Sequence, residues 1–347
     1  IKKTKGVKSE RTRKILEIQR EWTEQLKKCD EVELYIIKST VIIAGTCTGF
    51  VSNRIIRDVE FDYVIVDEAA KATFPELAVS LNKAHKIILV GDHQQLPPVL
   101  DTEIIRNNKE KLDEEGLAQG IFERMYNMFP EDNKHRLTIQ YRMHPTIGTL
   151  ISHVFYNDEI QNGVEAQDRE LCIEGYEGIA IEWISTSKYS TKERYEKEFD
   201  NNGKKSYQNY LERNIIERKL LELDSKLVKR TKVAVITGYG SQKYILQTMV
   251  KQHSFKHIEV DVDTVDAFQG SQKDIILYST VRSSGNKYGI GFLKSEARIN
   301  VAFSRARCLL IIVGDMKFLD NYKIRGNKFP EIIKYITESE GCRIIEK

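Results

Sequence analysis

The sequence predicts an α/β protein built on two parallel sheets, and three observations carry that reading. Short apolar runs recur along the 347 residues without the polar alternation of a half-exposed strand. Helical patterns separate most of these runs, as a sheet covered on both faces requires. The length also suffices for two cores of ordinary domain size.

In chain order, Ile15, Ile18, Trp22, Leu26 and Cys29 fall three or four residues apart in a charged segment and predict an amphipathic helix. "VIIAGT" (41–46), "YVIVD" (63–67) and "KIILVGD" (86–92) then read as buried strands, with "PELAVSLNKA" between the last two as a helix opened by Pro75. A polar, loop-rich zone covers 107–133. Beyond it, strands are expected at 136–141, 179–184, 232–237, 274–280 and 308–315, and helices at 207–228, 241–253 and 295–307. The stretch 185–206 reads as a surface loop. The expected domains are 1–134, incomplete, and 135–347.

Bulk properties narrow the function classes only a little. Lys and Arg (54) nearly balance Asp and Glu (51), leaving a net charge of +3 that neither demands nor excludes a nucleic-acid partner. No apolar run reaches the roughly 20 residues of a membrane span, so a soluble chain, cytoplasmic or nuclear, is expected. The five cysteines form no CxxC pair and the seven histidines no HExxH, which speaks against a disulfide scaffold and against zinc.

Five stations carry the chemistry. The run "FDYVIVDEAAKATFPE" sends Asp67 and Glu68 off the end of a strand, where an open α/β sheet binds ligands. Such a pair suits a nucleotide's Mg²⁺ and the activation of water; the plainer alternative is that Asp67 caps the following helix. In "VGDHQQLPPV" the Gln95 amide can donate to a phosphate oxygen while accepting from water. "QYRMHP" places Arg142 directly after a strand. "VDAFQGSQKD" and "INVAFSRAR" follow, the latter carrying Arg298, Arg305 and Arg307 in a segment read as helical. Arginines can stabilise the charge of phosphoryl transfer, although a single one is as readily a surface ion pair of little worth.

This ordered set, from "VIIAGTCTG" onward, resembles the Upf1-like superfamily 1 helicases, the group of senataxin-like and Dna2-like enzymes. The resemblance implies two RecA-like domains of the P-loop NTPase kind, with ATP and Mg²⁺ as cofactors. It implies that Asp67 binds Mg²⁺, Glu68 is the general base, Gln95 senses the γ-phosphate, and Arg142 and Arg305 are arginine fingers. Tyr141, Gly270, Gln272 and Arg298 would contact ATP; Gln272 stands where the family commonly has a glutamate. Thr46, Thr48, Pro97, Thr280 and Arg282 would contact single-stranded RNA or DNA, and the chain would act as a monomer.

One part of that pattern is missing from the sequence. The only Gly-Lys pair, Gly203-Lys204, has Glu198 where GxxxxGK[ST] needs its first glycine and Lys205 where it needs a hydroxyl. The expectation is therefore a helicase represented without its P-loop and inactive by itself. The alternatives are a P-loop-less nucleic-acid-binding or assembly module, and a small-molecule kinase or ATPase.

Overall fold

The computed structural model describes residues 2–26, 30–56, 59–98, 114–201, 204–268, 270–284 and 289–346. The chain divides into two compact units, residues 1–93 with 97–128, and residues 94–96 with 129–347.

In the first unit, helices α1 (Lys2–Leu26), α2 (Asp30–Ser39) and α3 (Cys47–Ser52) precede strand β1 (Phe61–Val66), helix α4 (Phe74–Leu81), strand β2 (Ala84–Leu89) and helix α5 (Glu114–Met128). Strands β1 and β2 pair in parallel, Phe61 opposite Ala84 and Val66 opposite Leu89. Helix α4 makes the crossover. It starts with a capping box between Thr73 and Glu76, which orients the chain leaving β1. The backbone and hydroxyl of Thr73 hold the Glu76 carboxyl below its usual titration range. The pleat sends Val64 and Val66 into a small core with Ala69, Leu77 and Phe122, while Tyr63 and Ile65 face outward.

Three sequence expectations change here. The run 41–46 is not a strand: neither strand of this unit pairs with it, and Val41 and Ile42 are 98% and 81% exposed. Helix α1 forms, but Ile15, Ile18 and Trp22 on its apolar stripe are exposed, and Cys29 lies outside the described residues. The zone expected to be loop contains α5, broken at Gly120, whose positive φ only glycine adopts readily.

The second unit begins with β3 (Ile139–Gln140), α6 (Pro145–Phe155) and β4 (Gln161–Asn162). Next come β5 (Ile181–Ser185), the short α7 (Thr191–Arg194), β6 (Lys197–Asn201), β7 (Lys204–Gln208) and α8 (Tyr210–Lys226). It continues with β8 (Thr231–Thr237), α9 (Gly240–Lys251), β9 (Ile258–Thr264), β10 (Lys273–Ser279) and α10 (Glu296–Phe303). Strand β11 (Ala306–Gly314), helices α11 (Met316–Asn321) and α12 (Phe329–Glu338), and β12 (Cys342–Glu346) complete it. Six strands form one parallel sheet in the order β12-β5-β11-β10-β8-β9.

Alternation along the central strands feeds two cores. Ala234, Ile236, Ile276, Tyr278, Leu310 and Ile312 pack with α6, α10, α11 and α12 on one face. Val233, Val235, Ile275, Leu277, Leu309 and Ile311 pack with α8 and α9 on the other. Both sides of each strand are thus apolar, which is why these strands read as unbroken runs. Glu182 breaks the pattern on the second face. Fully buried, it is bonded by Arg343 Nη2 at 2.6 Å and by the Tyr176 hydroxyl at 2.8 Å, and lies 3.3 Å from Lys219 Nζ.

The stretch expected to be a surface loop instead holds α7 and the antiparallel β6–β7 hairpin. The helix expected over 295–307 stops at Phe303, because Ala306 already pairs in the sheet. Trp183 anchors the first core, fully buried, edge-on to Phe329 and donating from Nε1 to the Gly314 carbonyl at 3.2 Å. Trp183→Ala is expected to lower unfolding free energy by about 3–5 kcal/mol in chemical denaturation. Ile15→Ala, on an exposed stripe, should change it by about 0.5 kcal/mol or less.

Candidate functional site

In the first unit, the chain leaving β1 turns onto β2. The Ala69 N–H donates to the Val90 carbonyl at 2.8 Å, and Glu68 adopts the left-handed region (φ 54°) to allow it. For a non-glycine residue this is a strained conformation that the surroundings must hold. One oxygen of Asp67 helps, accepting the Glu68 N–H at 2.9 Å. Both carboxylates stay exposed at the carboxyl end of a parallel strand, and neither caps the next helix, which Thr73 starts. Gly91 faces this turn: a Cβ there would lie 2.8 Å from the Ala70 nitrogen and 3.1 Å from the Phe122 ring. Thr46 caps α3, accepting the Gly49 N–H at 3.0 Å, with Thr48 exposed beside it; Pro97 is also exposed.

In the second unit, three of the expected residues meet. Arg305 is buried at the end of α10; its Nη2 donates to Gln95 Oε1 at 3.3 Å and its Nη1 to the Ser271 carbonyl at 3.4 Å. Arg142 Nη1 reaches the Ser304 carbonyl at 3.3 Å, one residue from Arg305. Gln95 keeps its place because Leu96 enters the core and Asn300 Nδ2 donates to the Gln94 carbonyl at 3.0 Å. Gly270 (φ 78°) and Gln272 are exposed next to Ser271, and Tyr141 is exposed next to Arg142. Arg298 pairs with Asp266 at 3.1 Å, its guanidinium 4.8 Å from the Phe292 ring centroid.

The Tyr141-Arg142 pair is set by Gln140, within the same motif, and by Arg169, which no motif flagged. Gln140 Oε1 accepts the N–H groups of Arg142 and Met143 at 2.8 and 2.7 Å. Arg169 binds the carbonyls of Tyr141 and Arg142 at 2.7 and 2.9 Å. Arg169 ends a short 3-10 helix (Ala166–Arg169) some way along the sequence, so only folding reveals its part. His144 caps α6 from a buried position, and that burial lowers its pKa.

Thr280 and Arg282, expected to contact a nucleic-acid strand, are both fully buried. Thr280 Oγ1 donates to Glu212 at 3.1 Å; Arg282 lies 3.1 Å from Glu196, donates to the Gly289 carbonyl at 2.6 Å and stacks 4.0 Å over the Tyr207 ring. Glu212, on α8, also accepts from Ser279 Oγ at 2.6 Å and from the Val281 N–H at 2.9 Å. A charged residue on the apolar stripe of Ile215, Ile216 and Leu223 was the one signal available in sequence.

Two AAA domain models match the chain, one over residues 117–317 and one over residues 1–103. The chain belongs to the Upf1-like superfamily 1 helicases. Among its relatives, a regulator of nonsense transcripts 1 homolog from Neurospora crassa is 34% identical over 301 residues, 85% of the chain and 26% of the relative. The ATP-dependent helicase NAM7 of Saccharomyces cerevisiae is 34% identical over 324 residues, 92% of the chain and 31% of the relative. The chain thus spans about a quarter to a third of the length of these two relatives. The solved structure of PRRSV helicase is 17% identical and aligns with a TM-score of 0.35 over 72% of the chain and 34% of its own length.

Burial raises the pKa of Glu212 to about 8, against hydrogen bonds from Ser279, Val281 and Thr280, and the neighbouring Glu196 charge adds to the rise. Between the ordinary carboxylate value and about 8, the unfolded chain holds fewer protons at this site than the folded one, so folding stability falls as pH rises through that window. Glu212→Gln should flatten this fall, read as denaturation midpoints from pH 5 to 9.

Proposed function

We propose that this chain forms the body of an ATP-dependent helicase or translocase that couples ATP hydrolysis to movement along single-stranded RNA or DNA. The observation that carries the proposal is the meeting of Gln95, Arg142 and Arg305 around Ser304, since a neutral amide beside two guanidiniums suits a phosphate group whose charge changes. Glu68 would accept the proton of the attacking water. Arg142 and Arg305 would stabilise the phosphoryl group, and Tyr141, Gly270, Gln272 and Arg298 would line the nucleotide.

The donor set supports a cation that comes with the nucleotide. Among the described residues, no cluster of three or more His, Cys, Asp and Glu side chains could hold a metal ion alone. Asp67, with one oxygen engaged in its own turn, fits a partial ligand that needs the phosphates to complete the shell. Mg²⁺ held there would offset phosphate charge. Thr46, Thr48 and Pro97 would touch the strand backbone, giving binding with little sequence preference.

The absent GxxxxGK[ST] pattern supports a division of labour in which the 347-residue chain hydrolyses no ATP by itself. In a longer form carrying a P-loop, Glu68→Gln should lower strand-stimulated turnover by roughly 10²-fold or more while nucleotide still binds. Arg305→Ala should lower kcat by roughly 10³-fold with little loss of strand affinity. Full turnover in either variant, measured as phosphate release, removes that residue from its role. Strand binding without any turnover in the longer form points instead to an assembly module.

A further inference from the structure

The carboxyl edge of the six-stranded sheet is where a ligand of an open α/β sheet binds, yet Thr280 there is bonded to Glu212 of α8, and Arg282 is covered by Glu196 and Tyr207 of the connection from α7 to α8. We propose that this cover is itself the strand-binding surface, with Tyr195, Lys197 and Tyr210 as contact residues and with Glu196 and Glu212 as positioning residues beneath it. The inference rests on the strand-binding reading above.

The outer side of the connection has the composition a single strand requires. Tyr195 and Tyr210 are 37% and 47% exposed, Lys197 Nζ lies 5.4 Å from the Tyr210 ring centroid, and the Arg194 guanidinium lies 5.7 Å from that of Tyr195. Exposed rings offer flat faces for bases, and ammonium groups beside them meet the phosphates between those bases. Lys192 and Lys197, interleaved with these rings, favour this occupant over a protein's apolar patch, whose docking would desolvate both charges, while Lys205 is held by Glu198 at 2.7 Å and Glu193 is engaged in the capping box of α7.

Beneath it the structure is over-determined. Glu196 accepts the N–H groups of Ser283 and Ser284, both at 2.9 Å, and the Ser284 hydroxyl at 2.7 Å, fastening the connection to the segment after β10. That segment contains a γ-turn: the Arg282 N–H donates to the Thr280 carbonyl at 2.8 Å, with Val281 at φ 68°. A β-branched residue holds such a conformation only when its surroundings impose it. Glu212 binds the Val281 N–H, and Asn209 Nδ2 binds the Val281 carbonyl at 3.0 Å. Asp315, which closes β11, takes the Ser283 hydroxyl at 2.6 Å and faces Arg194 at 3.2 Å. The turn is thus bonded to Arg194, Glu196, Asn209 and Glu212, directly or through Asp315, and Tyr195, Lys197 and Tyr210, next to them in the chain, inherit that placement.

The test uses the 347-residue chain with labelled 20-nucleotide oligo(U) and oligo(dT), read by fluorescence anisotropy beside melting temperature. The combined Tyr195→Ala, Lys197→Ala and Tyr210→Ala variant should bind about tenfold or more weakly at unchanged melting temperature, since each lost stack weakens binding severalfold. Tyr244→Ala, which removes an exposed ring on α9, should bind as the unaltered chain does. Glu212→Ala should weaken binding and Glu212→Gln should restore most of it, because the amide oxygen still accepts one N–H. Equal affinity of the triple variant and the unaltered chain overturns the surface. Equal affinity of Glu212→Ala and Glu212→Gln overturns the positioning role. An unaltered chain that binds neither oligonucleotide overturns the strand-binding reading itself and this inference with it.

Discussion

Most of what the second unit presents depends on the parallel pairing of β10 between β11 and β8. Ile275 to Ser279 stand opposite Leu309 to Val313 on one side and Val233 to Thr237 on the other, so neither shift nor tilt is open to this strand. A slip of one residue would send Ile276 and Tyr278 into the wrong core and carry Ser271 and Val281 with it. The residues that surround Arg305 precede this strand, and the strained turn follows it. The strand of seven residues sets their separation at roughly 20 Å.

Buried carboxylates supply the second constraint. Glu182, Glu196, Glu212 and Asp315 each meet several hydroxyls, backbone N–H groups or cations. Burying a carboxylate without such partners costs several kcal/mol, so each one selects a single arrangement of its neighbours rather than adding much net stability. That selection explains how Val281 stays in a conformation its side chain disfavours. The same logic governs Glu68, where a strained residue is held by an Asp67 oxygen and by the Ala69 bond to β2.

The parts of the fold that were legible are those where local pattern and environment agree. Strands β5, β8, β10 and β11 read from sequence because burial on both faces leaves no polar alternation, and β1 and β2 read from the same apolar composition although Tyr63, Ile65, Ile87 and Ile88 are exposed. Strand β9, "IEVDVDT", lies at the sheet edge, alternates with acids and was missed; β12, at the other edge, is short and half-buried. The run 41–46 had strand composition without a partner strand, and composition alone does not make a ladder. Among site residues, Asp67, Glu68, Gln95, Arg142 and Arg305 were named from ordered motifs. Arg169, Glu196 and Glu212 were not, since their work is done across sequence gaps of tens of residues.

The burial of Thr280 and Arg282 raises the question of what residues in such a motif do. A short run such as "STVRS" holds its sequence for two different reasons, touching a ligand or holding the shape of what touches it. Arg282 has the second kind of environment. Its guanidinium lies against the Tyr207 ring, faces the Glu196 carboxylate and donates to the Gly289 carbonyl, so withdrawing it to reach a phosphate would leave Glu196 as a buried charge without its cation. Tyr195 and Lys197, either side of Glu196, carry no such penalty, because their rings and ammonium groups already face water. The bonds of Glu196 to Arg282, Ser283 and Ser284 thus tie residues 195–197 to the segment after β10, so the motif residues help determine where that stretch stands.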